Sequence, residues 1–155
     1  MTVARAKPLS GAFDPEPANS IGYLIRDSSR MILSRLQALL EPHNVTLGQY
    51  FILRELWQNE GVTQRELCAR IGIGEQSAVA TIDAMEARDL VVRTRSRQDR
   101  RKIQLYLTDR SRGLRDELLG AAAQVINAAT ADFAPSEIAT LRGLLRKLND
   151  RLERT

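Results

Sequence analysis

Residues 90–108 read LVVRTRSRQDRRKIQLYLT. Toward the end of this stretch, apolar residues from Ile103 to Leu107 alternate with polar ones, which is the period of a half-buried β-strand. Toward its start, three arginines from Arg93 to Arg97 are spaced two residues apart, so an extended chain would place them on one face. The stretch therefore predicts a β-hairpin with a strong positive charge.

The turn of this hairpin holds more cations and a single acid, Asp99. Two roles are open for the acid: it can pair with the guanidinium of Arg101 and so aim the cations of the loop, or it can act only as a turn former. Cations that neutralise phosphates release counterions, so such a hairpin is expected to bind nucleic acid in a salt-dependent way. The hairpin residues that we expect to contact DNA are Arg95, Arg97, Asp99, Arg100 and Arg101.

Two short helices are predicted immediately before the hairpin. Thr63 and Glu66 have the spacing of a capping box, so one helix begins near Gln64. It breaks at residues 72–74, Gly-Ile-Gly, where glycine can adopt backbone angles that other residues resist. A second helix follows at residues 75–88. Two helices joined by a tight turn and followed by a charged hairpin predict a winged helix-turn-helix, whose second helix enters the major groove of DNA.

The second helix of this pair has a face of small, mostly polar side chains near its N-terminus. Its inward stripe is formed by Ala78, Ile82 and Met85, which leaves the opposite side free. A glutamine can make two hydrogen bonds to adenine, and a serine can bond to base edges or to phosphates. The alternative is that these side chains are only helix caps and solvated surface. The residues of this helix that we expect to contact DNA are Gln76, Ser77, Ala80 and Thr81.

Amphipathic helices are predicted on both sides of this unit. Apolar residues recur at steps of three and four from Ile21 until Pro42 ends the first helix, and Thr46 with Gln49 forms a capping box that opens the next. After Pro135, which suits a first helical position, leucines again follow steps of three and four. Packing within one chain could cover this narrow seam, but we favour an intertwined homodimer formed by the two chain ends.

These patterns divide the chain into a proline-containing flexible arm at residues 1–19 and one domain at residues 20–155. The domain is expected to be mainly α-helical with a small β-hairpin. Within it, residues 46–108 form the winged helix-turn-helix lobe, and residues 20–44 and 109–155 form the dimerisation helices, with long helices at 109–131 and 136–153.

The composition agrees with one globular domain that binds a polyanion. The chain has 155 residues, 43% of them hydrophobic, and a net charge of +4. No apolar run approaches the roughly 18 to 20 residues that span a bilayer, and the first residues lack the apolar middle of a signal peptide. We therefore expect a cytoplasmic protein with no membrane partner.

Residues that carry chemistry are scarce. Cys68 is the only cysteine and His43 the only histidine, so one chain can build neither a disulfide nor a Cys/His zinc site. No nucleophile with a matching base, glycine-rich phosphate loop or carboxylate pair stands out, so we expect no enzyme activity, no metal and no cofactor. Cys68 follows an apolar residue in a short helix, which favours a buried thiol over a redox sensor.

Residues 99–108, DRRKIQLYLT, resemble the Asp-x-Arg wing signature of the MarR family of bacterial transcription regulators, followed by the strand of that wing and the threonine that starts the next helix. The resemblance extends over roughly residues 20–153 and includes the segment VTQREL at 62–67 and the pair Leu90-Val91. It also includes Leu47, Gln49 and Leu53.

This resemblance implies an obligate homodimer that binds a pseudo-palindromic operator in double-stranded DNA, with repression relieved by a small ligand or another signal. Three residues depart from the family pattern. Asp89 and Ser111 stand where glycine is usual, and Ala80 stands where a basic side chain is common. Asp89 can adopt left-handed backbone angles and so preserve the fold. The loss of a cation at Ala80 changes the base contacts that the family would suggest.

An effector site is also expected between the dimer helices and the DNA-binding lobe, where pockets of this family usually lie. Aromatic walls with an arginine suit a small aromatic or acidic effector. Ordinary core packing explains the same aromatic residues equally well. The candidates are Tyr23, Arg26, His43, Tyr50, Arg54 and Trp57.

The sequence as a whole predicts a sequence-specific, DNA-binding transcriptional regulator, a ligand-responsive repressor that acts as a homodimer. The alternative is a winged-helix module that binds protein or RNA and has no operator specificity. A true operator binder should prefer one duplex over bulk DNA by about a thousandfold or more.

Overall fold

A computed structural model describes residues 15–154 of the chain. Its helices are α1 (Ile21–Leu40), α2 (Leu47–Leu56), α3 (Gln64–Ile71), α4 (Glu75–Ala87), α5 (Asp109–Gly113), α6 (Arg115–Ala129) and α7 (Pro135–Leu152). A short 3₁₀ turn, Glu41–His43, follows α1. The strands are β1 (Val62–Thr63), β2 (Val91–Arg95) and β3 (Ile103–Leu107). The expected mainly helical fold with a winged helix-turn-helix is confirmed.

Reciprocal side-chain caps set where the short helices begin. At α2, the hydroxyl of Thr46 accepts the backbone N–H of Gln49 at 3.3 Å, and the amide oxygen of Gln49 accepts the backbone N–H of Thr46 at 3.1 Å. Thr63 and Glu66 form the same arrangement at α3, as predicted. A third such cap opens α5, where serine takes the place of the usual glutamate or glutamine. Because serine is not part of the usual capping-box pattern, this cap could not be predicted from the sequence.

The sheet has one strand more than the predicted hairpin. β2 and β3 pair antiparallel with Val91 opposite Leu107. β1 pairs antiparallel with the other edge of β3, with Val62 opposite Leu105, so the strand order is β1-β3-β2. A two-residue strand shows no alternation, and Thr63 already has a clear role as a helix cap. For these reasons the sequence did not indicate β1.

One continuous hydrophobic core joins the winged helix-turn-helix to the long helices α1 and α6. α1 packs along α6, and the two helices contribute buried Leu36, Leu40, Leu118 and Val125. The remaining large, fully buried side chains come from the lobe and its edges: Val45, Tyr50, Ile52, Leu53, Leu56, Leu67, Ile82, Met85, Leu90 and Leu105. The lobe therefore has a fixed position relative to α1 and α6.

The helical region after the wing differs in detail from the sequence-based prediction. The single helix expected at 109–131 is two helices, α5 and α6, with Leu114 (φ −76°, ψ −12°) between them. α7 begins at Pro135 as predicted, but no residue of α7 is buried. Its exposed apolar side chains are Leu141, Leu144, Leu145, Leu148 and Leu152.

At the N-terminal side, residues 15–19 form an exposed turn in which the N–H of Asn19 donates to the carbonyl of Glu16 at 3.0 Å. The rest of the predicted arm, residues 1–14, lies outside the described residues. Among the helices of residues 15–154, none is long and apolar enough to span a bilayer.

Candidate nucleic-acid interface

The N-terminal part of α4 presents the predicted small side chains. Gln76, Ser77 and Ala80 are exposed, and Thr81 is half-buried with its hydroxyl 3.5 Å from the carbonyl oxygen of Ser77. The opposite stripe, Ala78, Ile82 and Met85, is buried. The exposed face also includes Val79, an apolar residue that the sequence analysis did not select. A valine there can make apolar contact with a thymine methyl group.

The turn between α3 and α4 fixes how α4 is presented. Gly72 has a left-handed backbone conformation (φ 71°), and its N–H donates to the carbonyl of Cys68. The N–H of Ile73 donates to the same carbonyl at 3.1 Å, which closes the helix end. Across the turn, the side-chain amide of Gln64 donates to the carbonyl of Glu75 at 3.3 Å. Gln64 therefore positions the start of α4, a role that sequence spacing alone did not reveal.

The tip of the wing is a compact hydrogen-bonded turn. Ser96 is buried, and its hydroxyl accepts the N–H groups of Gln98 at 3.3 Å and Asp99 at 3.4 Å. The carboxylate of Asp99 accepts the backbone N–H of Arg101 at 3.0 Å, and the Asp99 carbonyl accepts the N–H of Lys102 at 2.9 Å. Asp99 is therefore a turn former. The predicted pair between its carboxylate and the Arg101 guanidinium is wrong: within the described residues the carboxylate bonds to the backbone of Arg101, as in a turn, and forms no ion pair.

The tip cations point into solvent. Arg95, Arg97, Arg100 and Arg101 are all exposed, and no ion pair within residues 15–154 involves any of them. Arg95, Ser96, Arg97 and Arg100 line a shallow cavity of about 360 Å³ on the tip. The strand ends at Arg95, so Arg97 belongs to the turn and does not continue the face of β2. Exposed guanidinium groups without a carboxylate are free to bind phosphate.

Arg93 does not belong with these cations, although the sequence placed it on the same stripe. Its guanidinium donates to Asp83 at 2.6 Å and to Glu86 at 2.5 Å, and only 23% of its side chain is exposed. Burial of the guanidinium opposes the charged form, but the hydrogen bonds that it donates to Asp83 and Glu86 outweigh this effect and raise the pKa of Arg93. Both acids lie on α4. The expected stripe of three arginines is therefore wrong: Arg93 is paired with two carboxylates, and Arg97 lies in the turn beyond the end of β2.

The base of the wing is attached to the loop after α2. The amide of Gln104 donates to the carbonyl of Gly61 at 2.6 Å, and the N–H of Gly61 donates to the carbonyl of Leu105 at 2.9 Å. Gly61 has a positive φ of 75°, and a Cβ at this position would lie 2.9 Å from the hydroxyl of Tyr106. Only glycine fits there without displacing the tyrosine.

α5 connects the lobe to the helical region. The hydroxyl of Thr108 donates to the carbonyl of Asp89 at 2.6 Å, and Arg110 donates to the carbonyl of Arg88 at 3.0 Å. Asp89 has the left-handed conformation (φ 56°) that was expected of it. Ser111 is buried as part of the α5 cap, which explains how serine is accommodated where glycine is usual.

The six residues proposed for an effector site lie in different surroundings. Tyr50 is fully buried in the core, so it is not accessible to a ligand in this conformation. The indole N–H of Trp57 donates to the carbonyl of Ser111 at 3.2 Å. Tyr23 and Arg26 are exposed on α1, with the guanidinium carbon 5.8 Å from the ring centre. Ordinary core packing, which was the alternative explanation for these aromatic residues, accounts for Tyr50 and Trp57.

The other two candidates lie apart from these. His43 contacts the carboxylate of Glu117 at 3.2 Å. Arg54 lines a surface cavity of about 490 Å³ together with Phe51, Glu55, Gln58 and Ile71. A different cavity of about 510 Å³ lies between the ends of α1 and α4, and it could not be predicted from the sequence because its residues are distant along the chain. It is lined by Gln37, Glu41, Asn44, Val45, Thr46, Arg88 and Arg110.

Cys68 is buried in α3, as predicted. Burial raises the pKa of its thiol, and the negative charge of Glu75 adds to the effect. A thiol held in its neutral form is a poor nucleophile toward oxidants.

Comparison with known proteins agrees with this geometry. The model of the MarR family matches residues 43–102. The transcriptional regulator TtmR of Methylorubrum extorquens is 28% identical over 110 residues, which are 70% of this chain and 56% of that protein. The chain thus matches little more than half the length of this relative.

Two solved structures of the regulator CouR have the same fold. One is the transcriptional repressor CouR bound to a 23-mer DNA duplex; it is 28% identical, with 87% of this chain and 96% of that chain covered and a TM-score of 0.75. The other is CouR from Rhodococcus jostii RHA1 bound to p-coumaroyl-CoA; it is 26% identical, with 87% and 95% covered and a TM-score of 0.79.

An exposed helix beside a hairpin with free arginines is the surface that such regulators need for DNA. The sequence matches and the structural similarity, which covers 87% of this chain, lead to the same family of proteins. In sequence over residues 43–102 and in fold over most of its length, the chain is similar to the MarR family of DNA-binding transcriptional regulators, which are not enzymes.

Proposed function

We propose that the protein acts as a homodimeric repressor that binds a pseudo-palindromic operator and leaves it when a small aromatic or acidic effector binds. One observation carries the proposal: the wing-tip arginines have no carboxylate partner within the described chain, and they belong to the same lobe as the exposed face of α4. Free cations supply phosphate contacts, and the face around Gln76 supplies contacts to base edges. The bacterial chromosome lies in the cytoplasm, so such a repressor acts there.

The dimer is supported by apolar surface at both ends of the described chain. α1 exposes Ile21, Leu24 and Met31, and α7 exposes a seam of leucines. Contiguous apolar surface of this kind is typical of an interface. A two-fold axis between the lobes would place the two α4 helices about one DNA turn apart, on the order of 34 Å, which matches a palindromic operator.

The effector proposal rests on the cavity between α1 and α4. Arg88 and Arg110 bring two guanidinium groups to its wall, and Arg88 also donates to the side chain of Gln49 at 3.3 Å. Two arginines suit a carboxylate or phosphate on the effector. Because Arg88 caps the end of α4, an effector there can displace the recognition helix. CouR, which binds p-coumaroyl-CoA, is a similar protein with an acidic ligand.

Binding selection tests the proposal. Purified protein is mixed with sheared genomic DNA, bound fragments are sequenced, and the affinity for the recovered duplex is compared with that for a scrambled duplex. We expect a ratio of about a thousandfold or more. Equal affinity for all duplexes, or a preference for RNA, would favour the alternative of a winged-helix interaction module.

The effector is tested on the same complex. Small aromatic acids and their thioesters are screened for release of the operator duplex. Arg110→Ala should abolish the response to an active compound while leaving operator binding in place. Arg54→Ala serves as the matched control, because it removes an arginine from the other cavity. Loss of response in Arg54→Ala alone would move the site to that cavity.

A further inference from the structure

Arg93 forms the most extensive ion-pair arrangement on the DNA-facing side of the lobe. One guanidinium nitrogen donates to Asp83 at 2.6 Å and another to Glu86 at 2.5 Å. The backbone N–H of Arg93 also donates to the second oxygen of Glu86 at 3.3 Å. Three hydrogen bonds therefore join the middle of β2 to the recognition helix α4.

The two acids are one helical turn apart on α4, so both can face the same guanidinium. The planar fork of arginine can hold two carboxylates at once, whereas the ammonium of lysine acts as a single point charge. Unpaired, these carboxylates would place two negative charges on the helix that enters the groove. Such charges would repel the phosphates of DNA, and pairing with Arg93 removes this repulsion.

We propose that Arg93 is a positioning residue for DNA recognition, in that its bridge to Asp83 and Glu86 holds the wing at a fixed angle to the recognition helix. The inference rests on the proposed operator binding. The residues after Arg93 lead along β2 directly to the tip, so a rotation of the strand at this point is carried to the tip arginines. A wing fixed before binding loses less conformational freedom when α4 and the tip engage the duplex together.

The decisive variant is the double substitution Asp83→Asn with Glu86→Gln. It raises the net charge by two on the DNA-facing side, so electrostatics alone predicts tighter binding to every duplex. The positioning role predicts a different result: the ratio of operator affinity to scrambled-duplex affinity falls by roughly tenfold, a size typical of residues that influence binding without touching the ligand. Both substitutions are isosteric and both side chains are substantially exposed, so the fold should survive, as circular dichroism can verify.

The chain offers a matched control. Arg112 donates to Glu60 at 2.9 Å and to Asp109 at 3.2 Å, which is the same arrangement of one guanidinium between two carboxylates, but on α5. Glu60→Gln with Asp109→Asn adds the same two charges. We expect this control to leave the affinity ratio unchanged.

Single substitutions of Arg93 separate positioning from direct contact. Arg93→Ala should lower operator affinity without changing the slope of log affinity against log salt, and Arg93→Lys should recover only part of the loss. A slope shallower by about 0.9 in Arg93→Ala would mean a lost phosphate contact and would overturn the proposal. An unchanged or higher affinity ratio in the double Asp83/Glu86 variant would overturn it as well. A wild-type protein without site preference would overturn the proposed function and this inference together.

Discussion

At the scale of single residues, the presence or absence of a carboxylate partner separates the arginines of the wing. Arg93 is paired, whereas Arg97 and Arg101 are free within the described chain. We expect Arg97→Ala and Arg101→Ala each to weaken binding to all duplexes by a similar factor. Each should reduce the slope of log affinity against log salt by about 0.9, the value for one lost phosphate contact.

Fluorescence anisotropy at four or more salt concentrations measures this slope. Arg115→Ala is the control, since this exposed arginine lies on α6, and its ion pair within residues 15–154 is with the adjacent Asp116 at 3.9 Å. Unchanged slopes in both wing variants would show that the wing does not contact DNA.

Gln76 is expected to act on specificity instead. It is exposed in the first turn of α4, where a side chain can reach base edges. Gln76→Ala should cost about 1–3 kcal/mol at one base pair of each half-site and leave the salt slope as it is. Binding to a library of operators with single base changes measures this directly. If every base change costs the variant as much as the wild type, Gln76 reads no base.

At the scale of secondary-structure elements, the cap of α3 should contribute measurably to stability. The hydroxyl of Thr63 accepts the N–H of Glu66 at 3.2 Å, and the Glu66 carboxylate accepts the N–H and hydroxyl of Thr63 at 2.8 and 2.9 Å. Thr63→Ala should lower the free energy of unfolding by about 1 kcal/mol at pH 7. Thr140→Ala is the control, because in the part of the chain that the structure describes its hydroxyl donates to the carbonyl of Ser136 on the same exposed helix α7.

The same cap predicts a pH dependence. The hydrogen bonds from the backbone and side chain of Thr63 lower the pKa of Glu66 below its ordinary value of 4.5. Stabilisation by this carboxylate is therefore fully present above about pH 4.5 and is lost as the pH falls through the lower folded-state pKa. The deficit of Thr63→Ala should be smaller at pH 3 than at pH 7 in urea unfolding. An equal deficit at both values would mean that the bond from the Thr63 hydroxyl to this carboxylate adds nothing to the cap.

Elements with strong local signals could be predicted from the sequence. The caps at Thr46 and Thr63, the proline at the start of α7 and the alternation in β3 each act within a few residues, so the chain reveals them directly. β1 escaped prediction because its only partner is a strand about forty residues away in sequence. The pairing of Arg93 was missed for a similar reason. It depends on how β2 packs against α4, and the spacing of residues within β2 carries no information about that packing.

At the scale of the whole molecule, α5 is the junction between the DNA-binding lobe and the long helices. Arg112 binds Glu60 after α2, and the carbonyl of Ser111 accepts the indole N–H of Trp57. On the other side, Arg110 binds the carbonyl at the end of α4 and lines the cavity that we propose for the effector. A ligand that displaces Arg110 would therefore act on the recognition helix and on the helical region through one short element.

The last prediction concerns assembly. Leu145 lies in the exposed seam of α7, a helix without any buried residue, so replacing it should spare the core of the lobe. If the proposed dimer forms through this seam, we expect Leu145→Asp to leave the protein monomeric, because a carboxylate in an apolar interface would lose its hydration without gaining a partner. A monomer engages one half-site only, and its operator affinity should fall at least a hundredfold, as expected when two linked contacts become one.

Sedimentation velocity gives the mass of each variant, and anisotropy gives its affinity for half and full operators. Gly143→Asp is the control: it adds the same charge on the opposite side of α7, where an added Cβ would lie more than 4 Å from any described atom outside its own stretch of helix. If Leu145→Asp remains a dimer at micromolar concentration, the leucine seam is not the interface. If it is monomeric yet binds the full operator as tightly as the wild type, a two-fold arrangement of the lobes is not what recognises the DNA.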